Sequence, residues 1–142
     1  MTPTVAELRD DSAIMVLCAM PDPGSHRSAY AIAECHRLFD CCRSPHEALL
    51  IPALAIWSAL TGGTVRCRED LPRFGRVGFL VQHSRFRCPL VLECDRVRRT
   101  VARDRALEAA GYAVRRLVIG DGKAGVTAEL DAAFESVCAR LH

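Results

Sequence analysis

At 142 residues, half of them apolar and a quarter charged, the chain has the length and composition of one compact domain able to bury a core, and a second domain is not expected. The longest uncharged apolar run, residues 48–60, falls well short of the roughly 20 residues a membrane span requires, and residues 1–11 lack the basic start and apolar core of an export signal; a cytoplasmic protein with no membrane partner is expected. The formal charge of +2 conceals an asymmetry, since residues 66–116 hold thirteen Arg against six acids, whereas residues 1–65 hold four Arg against seven acids.

In chain order, residues 13–20 (AIMVLCAM) form an apolar run that reads as a buried strand or a short helix, cut off by the turn-forming PDPG of residues 21–24. Residues 26–42 place Tyr30, Ala33, Leu38 and Cys41 at helical spacing, with Ser25 as the cap. Ser44-Pro45-His46-Glu47 is a helix start with a capping box, and the helix is predicted to reach about Leu60 and stop at Gly62-Gly63. Pro52 is predicted to kink or divide it, because an interior proline removes a backbone hydrogen bond.

The period then changes. Residues 64–68 alternate, residues 76–82 (RVGFLVQ) are strand-like, and the near-continuous apolar run at 89–94 (PLVLEC) predicts a central strand. Residues 99–110 are helical and stop at Gly111, residues 112–119 read as another strand, and DGKAG at 121–125 is a loop. The last helix, residues 126–141, carries Leu130, Phe134, Val137 and Leu141 along one side. The core order is helix, three strands, helix, strand, helix.

The eight cysteines lie mostly inside apolar patterns and read as reduced thiols that pack as small hydrophobes. Cys35, His36, Cys41, Cys42 and His46 are of zinc's preferred ligand types. They contain no CxxC pair, however, and the seven-residue spacing of Cys35 and Cys42 fits one face of a helix. The arginine surplus suits a polyanion, because guanidinium groups contact phosphate in bidentate fashion. A general preference for Arg, eighteen against a single Lys, explains the residue type but not the clustering.

The element order, SPHE at 44–47, RVGFLV at 76–81, LVLECD at 90–95 and RDRALEAAGYAVRRL at 103–117 together resemble the PD-(D/E)XK nuclease superfamily, in particular the small bacterial relatives of the very-short-patch-repair endonuclease. The resemblance spans about residues 44–119. It implies an α/β fold with a restriction-endonuclease-like core in residues 44–142, a C-terminal helix, and residues 1–43 as an N-terminal extension of the same domain. It also implies DNA as partner and Mg²⁺-dependent phosphodiester hydrolysis, for which hard carboxylate oxygens hold the metal. Glu47, Glu93 and Asp95 would be the site residues, with Glu93 and Asp95 as metal ligands.

The sequence departs from the family pattern at that site. The acid expected on the second strand falls at Gly78, Arg96 stands where a glycine follows the acid pair, and Arg98 and Arg99 lie near where a histidine is usual. Lys123 is too far along the chain to supply a lysine base, and arginine does not readily give up its proton. These departures imply a degenerate active site, unless Asp70 or Asp22 moves in from a loop. Nucleic-acid contacts are expected from Arg76, Arg85, Arg87, Arg96, Arg98, Arg99 and Arg103.

Structural roles stand beside these. Glu93 and Asp95 at an exposed strand end would pair with Arg96, Arg99 or Arg103; Asp104 would pair with Arg116 or cap a backbone group; Glu47 would complete its capping box. Three functions remain open on the sequence: a degenerate nuclease fold that binds nucleic acid or a protein partner, an active Mg²⁺-dependent DNA endonuclease with a rearranged site, and a protein-binding or homodimerising accessory module that uses residues 1–43.

Overall fold

The computed structural model describes residues 4–22, 24–42, 44–94, 101–117 and 126–138. The chain forms two compact units, Met1–Val65 and Arg66–His142. The first is helical: α1 (Val5–Ala19), α2 (His26–Cys41), α3 (Pro45–Ala48) and α4 (Ile51–Thr61), with α1, α2 and α4 packed on one another.

The apolar run at 13–20 is the second half of a helix rather than a strand. Thr4 and Glu7 start α1 with a reciprocal capping box, the Thr4 hydroxyl accepting from the Glu7 N–H at 3.2 Å and the Glu7 carboxylate from the Thr4 N–H at 3.1 Å. From there Leu8, Ser12, Val16 and Met20 recur every four residues along one buried face. α2 begins as its sequence predicts, at Ser25, whose hydroxyl accepts from the Ser28 N–H. Its inward face carries Ala31, Cys35, Leu38 and Phe39, and burial pushes the Cys35 thiol up to about 11.

The proline divides the next helix as expected. The break falls at Leu49–Leu50, so that Pro52 lies in the first turn of α4, where its missing N–H costs nothing. At the start of α3 the Ser44 hydroxyl accepts from His46, one position earlier than the expected capping box requires. Gly62 ends α4 in the left-handed conformation, its N–H on the Ser58 carbonyl.

The boundary between the units falls within β1 (Thr64–Cys67). The second unit contains β2 (Asp70–Leu71), β3 (Gly75–Arg76), β4 (Phe79–Gln82), β5 (Leu90–Glu93), α5 (Val101–Ala109), β6 (Ala113–Arg116) and α6 (Val126–Val137). Its sheet is mixed and four-stranded, in the order β1-β4-β5-β6. β4 and β5 are antiparallel with Leu80 opposite Val91, and β6 runs parallel to β5 with Val91 opposite Val114. β5 is buried along its whole length, as its continuous apolar run predicts. The molecule is thus α/β, a four-stranded mixed sheet with helices, and among the described residues no helix is long and apolar enough to cross a membrane.

The expected strand at 76–82 is two pieces. Arg76 belongs to a separate small hairpin, β2–β3, and β4 starts at Phe79 after the Val77–Gly78 bend. The hairpin turns through Leu71-Pro72-Arg73-Phe74, closed by the Phe74 N–H on the Leu71 carbonyl at 3.1 Å. Proline stands second in this turn, and Arg73 stands third at φ 74°, a left-handed conformation that costs a side-chain-bearing residue roughly 1–2 kcal/mol.

Leu71, Val77, Leu80, Val91 and Leu107 form a small core under the hairpin and α5, with Phe74, Tyr112 and Val114 packed against it. Phe74 and Tyr112 meet edge to face at 6.4 Å between ring centres. α5 is followed by Gly111 at φ 100°, the stop its sequence predicts. α6 buries Leu130, Ala133, Phe134 and Val137, and Phe134 stacks on Phe86. The predicted loop at 121–125, Leu141 and the ends of the predicted elements at 99–100 and 118–119 lie outside the described residues.

Candidate functional site

The pairing register sets two rows of side chains across the face of the sheet beneath α5. One row is apolar: Leu80, Val91 and Val114. One alternation further along the strands, the same register brings Gly78, Glu93 and Arg116 into line, with Glu93 directly opposite Arg116 across β5 and β6. α5 repeats the pattern one helical turn apart, since Leu107 joins the apolar core and Arg103 and Asp104 reach the charged row.

Glu93 is 3% exposed, although it ends its strand. The expectation that it would sit at an exposed strand end is corrected by α5, which covers it. Of the three arginines offered as partners, Arg103 is the one that meets it among the described residues, Nη1 lying 3.2 Å from Oε1. The other arm of the same guanidinium, Nη2, donates to the Arg76 carbonyl at 3.0 Å and to the Phe74 carbonyl at 3.3 Å, so Arg103 ties β5 and α5 to the hairpin.

Asp104 pairs with Arg116, as its sequence context suggests. The contact is a two-toothed fork, Nε to Oδ2 and Nη2 to Oδ1, both at 2.9 Å. Two carboxylates and two guanidiniums therefore alternate over the row and cancel in charge. The carboxylate that would hold a metal already carries an arginine.

Gly78 does lie beside Glu93, where the resemblance puts the missing acid. Its surroundings leave no room for one: a Cβ on Gly78 would stand 2.7 Å from the Leu92 carbonyl oxygen and 3.3 Å from Oε2 of Glu93. The nearer neighbour is backbone, which cannot swing away as a long side chain can. Glycine is required here by close approach of the strands.

Glu47 lies half-buried on α3 in the first unit. Asp95, Arg96, Arg98 and Arg99 lie outside the described residues. Asp70 is exposed and cross-strand from Arg76, and Asp22 is engaged through its carbonyl by the Ser28 hydroxyl ahead of α2.

Among the described residues no group of three or more His, Cys, Asp or Glu could hold a metal ion. Among the described residues, Arg103 on Glu93 and the Leu92 carbonyl against the Cβ position of Gly78 leave no cradle for Mg²⁺. In the cysteine–histidine segment Cys35 is buried, Cys41 is exposed and the Cys42 thiol donates to the Ser44 carbonyl.

Among the described residues, the arginines expected to contact nucleic acid divide into exposed and inward-turned. Arg76, Arg85 and Arg87 are exposed, and Arg87 is anchored to α6 through the Ser136 and Val137 carbonyls. Arg103 is turned inward. Two roles are not legible in the sequence. Arg116, expected as a partner of Asp104, is one of the four groups of the neutral row, a place visible only once the parallel register sets it against Glu93. Arg73, at the hairpin tip, was signalled by Pro72 alone. Comparison with protein-family models, with curated proteins and with solved structures finds no match to the chain.

Proposed function

We propose that the chain is a catalytically degenerate protein of the PD-(D/E)XK nuclease fold that binds DNA through the Arg-rich surface of residues 66–116. The observation that carries the reading is the state of the carboxylate on β5. Glu93 is held by Arg103, and the neighbouring position at Gly78 is closed to an acid by the Leu92 carbonyl, so the carboxylate that hydrolysis would need for a cation is already matched by a positive charge.

The order of elements supports the fold reading: an antiparallel strand pair, a helix, then a strand parallel to the last of the pair. The binding reading rests on where the charge goes. Two acids of residues 66–116, Glu93 and Asp104, are turned in and matched by Arg103 and Arg116, while Arg73, Arg76, Arg85, Arg87, Arg105 and Arg115 remain exposed. A surface on which arginine is in excess favours a phosphate backbone.

Fluorescence anisotropy with a labelled duplex across a salt series, beside plasmid nicking in Mg²⁺ and Mn²⁺, tests the proposal. Binding that weakens steeply with salt, without nicking, is expected. Divalent-dependent nicking that disappears in Glu93→Ala establishes the alternative, an active endonuclease with a rearranged site.

One observation favours a second reading, a protein-binding or homodimerising module. Ile14 and Met15 stand side by side on α1 at 62% and 39% exposure. Light scattering that gives a stable dimer, from a chain with no DNA affinity, selects that reading.

A further inference from the structure

We infer that the β2–β3 hairpin is a rigid phosphate-contacting element, with Arg73 at its tip and Arg76 on its second strand as the ligand-binding groups. The inference rests on the DNA-binding reading above and names the place where that binding occurs.

Three observations converge on seven residues. First, Arg73 occupies a left-handed turn position at which glycine or asparagine is the strain-free choice. Its side chain is exposed, so the strain is not repaid by packing. A strained, exposed and charged residue retained at the tip of a turn is more informative than the same residue in a relaxed loop.

Second, the hairpin is held from inside. Leu71 and Val77 anchor its base in the small core, Phe74 packs edge to face on Tyr112, and Arg103 grips the Phe74 and Arg76 carbonyls while its other arm is fixed on buried Glu93. A two-residue strand pair has little stability of its own. Here the neutralised row supplies a brace that presents Arg73 and Arg76 in fixed positions.

Third, the hairpin's chemistry selects the ligand. Its large apolar side chains, Leu71 and Phe74, face inward, which leaves no wedge for a lipid bilayer. Two guanidiniums three residues apart on a stiff turn suit an array of fixed phosphates. Asp70, the cross-strand partner of Arg76, is the opposing charge at the base, and it makes Arg73 the stronger contact of the two.

The test uses the full chain and a labelled DNA duplex, with affinity measured by anisotropy across a salt series. Arg73→Gly removes the charge and relieves the strain together. It is expected to lower affinity several-fold and to flatten the log–log salt slope by about 0.9, the value for one lost phosphate contact. Its melting temperature should stay within about 3 °C of wild type or rise above it, since the relieved strain offsets the added freedom of glycine.

The double variant Arg73→Gly/Arg76→Gln should lose about twice that slope, Arg73→Lys should retain it, and Asp70→Asn should bind more tightly than wild type. If both hairpin variants bind as wild type does while an Arg85→Gln/Arg87→Gln variant loses affinity, the hairpin assignment falls and the DNA-binding reading stands. If wild type binds no duplex at any salt, both fall. If poly-glutamate displaces the protein as well as DNA does, the hairpin recognises acidic peptide, and the phosphate assignment is overturned.

Discussion

Arg103 and Arg116 reach into the same row of the sheet, and each holds a carboxylate, yet the two clamps differ in kind. Arg116 grips Asp104 with both teeth of its fork at 2.9 Å, and the two side chains keep 27% and 22% of their surface in solvent. Arg103 touches Glu93 through one contact at 3.2 Å and gives its other arm to two carbonyls, while Glu93 retains 4% of its side-chain surface. The better-formed ion pair is the more replaceable one. Good geometry adds modestly to a pair that water still reaches, whereas a buried charge depends wholly on its partner.

The largest effect is therefore expected on the Arg103 side. Glu93→Ala would leave the guanidinium in a mostly dry site with carbonyl partners but no counter-charge, a change that typically costs about 3–5 kcal/mol. Urea denaturation measures it directly. A loss below about 1 kcal/mol would mean that solvent reaches Arg103 and that the two clamps are alike.

Gly78→Ala comes next. The added methyl must displace the Leu92 carbonyl from 2.7 Å, and overpacking of this kind costs about 1–3 kcal/mol. Gly78→Asp suffers the same clash and places a second carboxylate beside Glu93, so it is expected to lose stability without gaining Mg²⁺ affinity by calorimetry. An Asp variant that folds normally and binds Mg²⁺ would show instead that the site lost nothing beyond one ligand.

These cases also mark what sequence reasoning reaches. Pro52 placed the break between α3 and α4 because proline excludes an interior helical position whatever surrounds it. The continuous run 89–94 announced a central strand because both faces of β5 are covered, and Gly111 announced a stop after α5. The adjacency of Gly78 and Glu93 followed from the family resemblance.

Glu93's burial did not follow, since a charged residue at a strand end reads as exposed until an arginine of the next helix is known to reach over it. The β2–β3 hairpin escaped because two-residue strands are shorter than any period. The true start of α1 is not legible from its apolar run, because the Thr4–Glu7 box lies well before that run. Closure of the backbone over Gly78 is a matter of ångströms that no residue type announces.

The smallest effect is expected at the outer clamp. Asp104→Asn keeps an acceptor oxygen for Arg116 and removes the charge; with both partners partly in water, the loss should be about 1 kcal/mol and should shrink as salt rises. The same substitution should do something that Glu93→Ala does not. It leaves the fold and the brace on the hairpin intact while removing one negative charge at a site solvent already reaches, so duplex affinity at low salt should rise modestly as stability falls. Stability and affinity moving in opposite directions in Asp104→Asn, and falling together in Glu93→Ala, would separate an arginine whose charge is merely masked from one that holds the binding surface in place. If both variants instead lose stability and affinity in proportion, the two clamps play one structural role, and the contrast between them is geometric rather than functional.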